Sequence, residues 1–168
     1  LFGSVLSTGD FNNDGFADLA IGTPNHNSFR GIVHLMYGGA GGLSTSGNQR
    51  FRQGADGLEG DETDGDVFGN DLASGDVDGN GFDDLVVAVP GEDSARGGVQ
   101  VLFGGGGGLS GNGNVFLRQD DLLGDDRDSG DQFGSSVIVA DFNQDGFGDI
   151  AISAIGEDGG RGSVILVN

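Results

Sequence analysis

One nine-residue pattern occurs three times: Asp10-Phe-Asn-Asn-Asp-Gly-Phe-Ala-Asp18, Asp76-Val-Asp-Gly-Asn-Gly-Phe-Asp-Asp84 and Asp141-Phe-Asn-Gln-Asp-Gly-Phe-Gly-Asp149. Every copy has oxygen-bearing side chains at positions 1, 3, 5 and 9 and glycine at position 6. A chain curling around a point turns alternate side chains toward it. Asp10, Asn12 and Asp14 therefore converge, as do Asp76, Asp78 and Asn80, and Asp141, Asn143 and Asp145. The carboxylates of Asp18, Asp84 and Asp149 close each set, and the carbonyls of Phe16, Phe82 and Phe147 are candidates for one further ligand. Calcium takes 6–8 such oxygens at about 2.3–2.6 Å, whereas magnesium prefers a tighter octahedron rich in water. Three carboxylates per loop would repel one another without a cation between them. About three calcium ions per chain are expected. The turn at position 6 calls for a positive φ, which Gly15, Gly81 and Gly146 adopt at little cost.

The spacing begins like an EF-hand but does not continue as one. An EF-hand needs a bidentate Glu at its twelfth position and flanking helices; here that place holds Ile21, Val87 and Ile152. Short apolar, β-prone runs follow the loops: Leu19–Gly22, Leu85–Val89 and Ile150–Ser153. Each loop is therefore predicted to join two strands. Asp-Gly and Asn-rich stretches also make good turns without a metal, but three copies in register favour the ion.

The register extends well beyond the loops. Phe2-Gly3, Phe68-Gly69 and Phe133-Gly134 each stand eight residues before the first Asp of a loop, so the copies are offset by 66 and then 65 residues. Arg30-Gly31, Arg96-Gly97 and Arg161-Gly162 precede predicted strands at Ile32–Tyr37, Gly98–Phe103 and Ser163–Val167. Gly41–Ser44 recurs as Gly107–Ser110, and Arg52-Gln53 as Arg118-Gln119, the latter in a fourth strand-like segment around Gln49–Gln53 or Asn114–Gln119. Four short antiparallel strands in a repeat of this length predict all-β propeller blades. The expected units are 1–67, 68–132 and 133–168, the last without its outer strand: about two and three-quarter blades. Such a chain is expected to be a fragment with further blades beside it, or to assemble copies into a ring. Its start at Leu1 rather than Met favours a mature or internal fragment.

Phe-Gly, then Asp-x-[Asp/Asn]-x-[Asp/Asn]-Gly-x-x-Asp, then a strand ending near Gly22-Thr23-Pro24 resembles the FG-GAP repeat of integrin α-subunit propellers and of many secreted bacterial proteins. The third element is degenerate, as Ala88-Val-Pro90 and as Ala154-Ile155-Gly156 without proline. The resemblance implies calcium held between the first and second strands of a blade. It also implies that the face opposite the metal loops meets partners.

Composition narrows the function classes. The net charge is −20, and all seven basic residues are Arg. Three dications would neutralise only six of those charges, so nucleic acid and anionic bilayers are excluded as charge-driven partners. No apolar run approaches membrane-spanning length, and with no Cys there is no disulfide framework. The 37 glycines are expected to be absorbed by turns, because the apolar runs and 12 Phe argue for packing.

Strand alternation puts the metal loops and the glycine-rich stretches Gly38–Asn48 and Gly104–Asn112 on one face. Acidic loops lie on the other: Asp56, Glu59, Asp61, Glu62, Asp64 and Asp66; Asp120, Asp121, Asp125, Asp126, Asp128 and Asp131; and Glu92, Asp93, Glu157 and Asp158. These acids serve solvation, a cationic protein partner or further divalent ions. Arg30, Arg96, Arg161, Arg52 and Arg118 are expected to pair with neighbouring carboxylates. Phe2, Phe68 and Phe133, and also Phe16, Phe82 and Phe147, are expected to pack between blades.

Catalysis is not expected. The two histidines, His26 and His34, have no counterparts in the other copies, where Gln100 and Ile165 replace His34. There is no Cys nucleophile, no Gly-x-Ser-x-Gly elbow and no phosphate loop before a helix. The expectation is a calcium-binding propeller segment of a secreted or cell-surface protein, acting as a rigid adhesion or protein–protein interaction module. Two alternatives stay open: a non-catalytic domain of a secreted enzyme, or a structural subunit of a surface layer or filament.

Overall fold

The computed structural model describes residues 2–124 and 128–168. Three antiparallel sheets follow one another in chain order. The first contains β1 (Val5–Gly9), β2 (Asp18–Gly22), β3 (Val33–Tyr37) and β4 (Ser44–Phe51), and the second β5 (Leu72–Gly75), β6 (Asp84–Val89), β7 (Gly98–Phe103) and β8 (Ser110–Leu117). The third has three strands, β9 (Phe133–Ala140), β10 (Asp149–Ala154) and β11 (Ser163–Val167). Within each sheet consecutive strands are neighbours, the order expected of propeller blades. Register confirms the repeat: Ile21, Val87 and Ile152 face His34, Gln100 and Ile165 respectively.

The middle sheet shows why its strands are apolar throughout. All of β6 is buried, and its alternating side chains enter two different cores. Leu85, Val87 and Val89 pack toward the first sheet with Ala20, Val33, Leu35 and Phe68. Val86 and Ala88 pack toward the third with Val137, Ile150, Ile152 and Phe133. A sheet covered on both faces loses the polar alternation of a half-solvated strand.

The fourth strands begin earlier than expected, at Ser44 and Ser110 rather than near Gln49 and Asn114, so the turns before them are shorter. Their polar, glycine-containing sequence hides a strand because β4 is the outer strand of its sheet, largely exposed and paired only with β3. The strand at Ile32 also begins one residue later, at Val33.

Among the described residues, three of the four helical turns are left-handed inside. In α1 (His26–Phe29), α2 (Glu92–Ala95) and α4 (Glu157–Gly160), φ is positive at Asn27 and Ser28, at Asp93 and Ser94, and at Asp158 and Gly159. The remaining turn, α3 (Gln119–Leu123), ends in a left-handed Gly124. Left-handed backbone costs L-residues about 1–2 kcal/mol each. It is held because it aims carbonyls at the next repeat: Gly65, Val67 and Phe68 donate N–H to Ser28, Phe29 and Arg30, and Phe133 donates to Arg96. Among the described residues no helix is long and apolar enough to cross a membrane.

His34 on β3 stacks edge-on against Phe2, with ring centroids 5.4 Å apart. Burial, then the nearby His26 and Arg50, lowers its pKa below the usual 6.5. The fold therefore favours the neutral ring. Its stabilising contribution is complete above pH 6.5 and is lost as pH falls through the lowered value. His34→Gln, the residue at Gln100 in the second sheet, removes that acid-side loss. The melting temperature of the variant relative to the parent is expected to rise by roughly 1–3 °C between pH 7.5 and 5. An unchanged difference would show that His34 is not held neutral.

Candidate metal centre

The three repeated loops fold alike because the same side chains tie the same backbone groups. In the first, Asp10 accepts N–H bonds from Asp14 (3.0 Å) and Gly15 (2.8 Å), and Asp14 accepts one from Phe16 (3.0 Å). In the second, Asp76 accepts from Gly79, Asn80 and Gly81, and Asn80 accepts from Phe82. In the third, Asp141 accepts from Asp145 and Gly146, and Asp145 from Phe147. These Asx-type bonds wind the backbone around the first side chain. The third-position side chain joins in as Asn12, Asp78 or Asn143, each accepting the N–H of the fifth residue.

The ninth residue closes the loop from a buried position. Asp18 and Asp84 are 1% and 0% exposed. Asp18 accepts N–H bonds from Phe11 (3.0 Å) and Gly38 (2.8 Å), and Asp84 from Val77 and Gly104 (both 2.8 Å). Each thus clamps the start of its own loop to the turn after the third strand. Asp149, also buried, accepts from Phe142 and Asn143. Sequence reasoning placed Gly38 and Gly104 beside the loops but missed this role. The signal was present, since each glycine follows its aspartate by 20 residues.

The second loop gathers its acids most tightly. Oxygens of Asp76, Asp78 and Asp84 lie within 4.8 Å of one another. Ligands on opposite sides of a calcium ion stand roughly twice 2.3–2.6 Å apart, so this spacing accommodates one. Asn80 adds an amide beside them, donating to Asp78 at 3.1 Å. The other loops carry Asn at position 3, and among the described residues their acids form no equally close trio. There Asn12 and Asn143 instead donate to Asp14 (3.0 Å) and Asp145 (2.9 Å).

The electrostatics fit a cation. Burial pushes the Asp84 carboxyl up to about 6, partly offset by the Gly104 and Val77 N–H groups, with Asp78 and Asp76 raising it further. Asp18 is raised for the same reasons, burial first, against the bonds from Gly38 and Phe11. A dication among these oxygens would reverse that penalty. The donor set, all carboxylate and amide oxygen, suits calcium and offers no nitrogen or sulfur for zinc.

Adjacent loops are tied together. Asp83 donates its N–H to the Asp10 carbonyl (3.2 Å) and accepts the Asp10 N–H on its carboxylate (2.7 Å). Gly148 donates to the Asp76 carbonyl at 2.7 Å, one repeat further on. The Phe147 ring lies on Gly79, where an added Cβ would stand 2.1 Å from the ring. The loop phenylalanines are partly exposed, Phe16 at 43% and Phe147 at 49%. Phe147 packs between repeats as expected, on Gly79, whereas Phe16 lies beside Gly38 of its own repeat; Phe68 and Phe133 are fully buried between sheets. Phe2 is 69% exposed.

On the opposite face, Arg30 pairs with Asp64 at 2.6 Å, Arg96 with Asp93 at 3.2 Å and Arg52 with Glu62 at 3.9 Å. Arg118 instead stacks 4.7 Å above the Phe116 ring. Two of the acids assigned to the surface are buried: Asp66 accepts N–H from Thr63, and Asp131 from Asp128. Asp125 and Asp126 lie outside the described residues. Gln53 and Gln119, almost fully buried, reach across to Glu92 and Glu157 of the following sheet.

The FG-GAP repeat model matches residues 2–36, 68–117 and 133–167. Integrin alpha-PS5 of Drosophila melanogaster is 40% identical over 95 residues, which cover 55% of this chain and 9% of that protein. Integrin alpha-4 of Xenopus laevis is 36% identical over 96 residues, 55% of this chain and 8% of that protein. Phosphatidylinositol-glycan-specific phospholipase D of Mus musculus is 32% identical over 168 residues, 95% of this chain and 19% of that protein. The chain thus spans between 8% and 19% of the length of these relatives.

Proposed function

The chain belongs to the FG-GAP repeat family, and we propose that it is a calcium-loaded propeller segment of a secreted or cell-surface protein, presenting a rigid surface to a protein partner. Its proposed units are 1–67, 68–132 and 133–168, each with one ion on the loop joining its first two strands. The proposed ligands are Asp10, Asn12, Asp14, Phe16 and Asp18; Asp76, Asp78, Asn80, Phe82 and Asp84; and Asp141, Asn143, Asp145, Phe147 and Asp149. Each Phe contributes its carbonyl. The observation carrying this reading is the convergence of Asp76, Asp78 and Asp84 within 4.8 Å, on a loop whose backbone bonds recur in two more copies. Extracellular modules of this type bind calcium at about 10⁻⁴–10⁻³ M, a range useful only where the ion is abundant.

The ion count tests this directly. After dialysis against calcium, elemental analysis is expected to find three ions per chain, and two in the Asp76→Asn, Asp78→Asn double variant. Ion content unchanged by those substitutions would overturn the site.

The acidic face is the proposed docking surface, and its occupant a cationic protein segment. Asp61, Glu92 and Asp93 line a shallow cavity there beside Arg118. Neutralising Asp61 and Glu62, together with Asp125 and Asp126, should weaken binding of an arginine-rich peptide at least tenfold in fluorescence anisotropy at low salt. Unchanged affinity would assign those acids to solvation alone.

A second reading rests on the occurrence of these repeats beside an enzyme. The match to the phospholipase D spans 95% of the chain, as the match to integrin alpha-5 of Xenopus laevis spans 99%. In that reading the segment is a non-catalytic domain that positions an enzyme. The repeats occur in both kinds of relative, so they do not by themselves mark the chain as an enzyme.

A further inference from the structure

Two asparagines of the chain precede glycine, and both pairs are exposed: Asn80-Gly81 and Asn112-Gly113. Such a pair is prone to lose the side-chain amide, because glycine has no Cβ to keep its backbone nitrogen away from the Asn carbonyl carbon. The two pairs are held very differently. Asn112 and Gly113 lie where the β7–β8 register skips from Val115 to Ser110, outside the ladder, with nothing within 4 Å of a Cβ added at Gly113. The Asn80 amide is tied at both ends. Its Oδ1 accepts the Phe82 N–H at 2.8 Å, and its Nδ2 donates to Asp78 at 3.1 Å and to the Gly104 carbonyl at 3.3 Å. The neighbouring Gly81 N–H donates to the Asp76 carboxylate at 2.9 Å.

Loss of the amide needs that glycine nitrogen free. The nitrogen gives up its proton and attacks Asn80 Cγ; the new C–N bond forms as Cγ–Nδ2 breaks, and the proton leaves with the nitrogen as ammonia. Water then opens the cyclic imide at either carbonyl. One opening gives aspartate, and the other gives isoaspartate, with the backbone rerouted through the former side chain. A carboxylate 2.9 Å away holds the proton on the Gly81 nitrogen and opposes the anion that attack requires. A cation held by Asp76, Asp78 and Asn80 fixes the same groups in place, so the loop must open before Asn80 reacts.

We propose that Asn80 is a calcium-gated deamidation site: the loaded loop shields it, and emptying the loop starts its conversion, while Asn112 ages at the same rate in either state. The gating rests on calcium filling the second loop, as proposed above. The two products differ in consequence. Aspartate at this position is what the other loops already carry, as Asp14 and Asp145. Isoaspartate instead adds one backbone atom between Asp76 and Asp84, whose oxygens lie within 4.8 Å of each other, and it removes the amide that ties the loop to Gly104. The loop then no longer closes on its ion. A period without calcium is recorded as an irreversible loss of the second site.

Peptide mass spectrometry tests this on the whole chain aged in mildly alkaline buffer. Trypsin cuts after Arg52, Arg96 and Arg118, so Asn80 and Asn112 fall in separate peptides. At about 10 mM calcium and a dissociation constant near 10⁻⁴ M, opening of the loop is suppressed about a hundredfold. Asn80 is therefore expected to deamidate at least about tenfold more slowly with calcium than with chelator, and Asn112 equally fast in both. Asp76→Ala opens the second loop while calcium keeps the other two loaded. That variant should lose the protection at Asn80 and keep the parental circular dichroism. Aged in chelator and returned to calcium, the parent should bind fewer ions as isoaspartate accumulates, whereas Asn80→Asp keeps the full count. Equal Asn80 rates with and without calcium, or an equal acceleration at Asn112, would overturn the gating and leave the calcium reading standing if the chain binds the ion. A chain that binds none would overturn both. Protection that survives Asp76→Ala, or ion content fully regained despite isoaspartate, would also sink the proposal.

Discussion

Excess chelator is expected to lower the melting temperature of the chain by roughly 15–30 °C relative to about 10 mM calcium. At a dissociation constant near 10⁻⁴ M, each site contributes about 2.7 kcal/mol at that concentration, and three sites about 8 kcal/mol. The size follows from where the loops sit. Asp18 and Asp84 are buried, and each holds both the start of its loop and a neighbouring turn. Without a cation these carboxylates are disfavoured in their charged form, Asp84 up to about 6. Binding energy is then folding energy, because the unfolded chain has no such site. The Asp83–Asp10 and Gly148–Asp76 bonds join one loop to the next, so emptying one site should loosen its neighbours. Differential scanning calorimetry with calcium and then with chelator checks the shift. A melt indifferent to chelator would mean that the loops are only turns, and the extracellular reading would lose its main support.

How much of this was legible in the sequence depends on where each constraint originates. Short-range constraints were plain. The Asp-x-Asn-x-Asp-Gly spacing dictates the loop, and the apolar runs after it dictate the central strands, since both are set within about ten residues. The junction phenylalanines were legible through repetition at a fixed offset. What stayed hidden is set by partners far along the chain. Nothing in Asn27-Ser28-Phe29 announces a left-handed turn; it forms because the N–H groups of Gly65, Val67 and Phe68 require carbonyls there. β4 was foreshortened because an outer strand needs no apolar face, and Ser44 to Gln49 carries none. Asp66 and Asp131 looked like surface charge, yet each is buried accepting the N–H three residues before it. Local acid content cannot distinguish a solvated carboxylate from one that caps its own turn.

Gly97→Ala is expected to cost more than about 4 kcal/mol and to release the third sheet from the second. A Cβ at Gly97 would stand 2.1 Å from the Phe133 carbonyl oxygen and 2.5 Å from its nitrogen. Both are backbone atoms, and Phe133 itself is fully buried in the second core. No rotamer change can make room. Either the bond from Phe133 to Arg96 breaks or the whole junction moves. The left-handed φ of +86° adds strain of about 1–2 kcal/mol for any residue with a Cβ. Gly113→Ala isolates that second effect: its φ is +78°, but nothing lies within 4 Å of the added atom. Gly39→Ala, with open space and no left-handed φ, should stay within about 0.5 kcal/mol of the parent. Urea unfolding followed by circular dichroism ranks the three variants, and limited proteolysis shows whether cleavage appears between residues 97 and 133 in Gly97→Ala alone. A loss in Gly97→Ala no larger than that in Gly113→Ala would mean that the Phe133 backbone yields freely. The Phe-Gly seat would then be a contact rather than the hinge pin that joins one blade to the next.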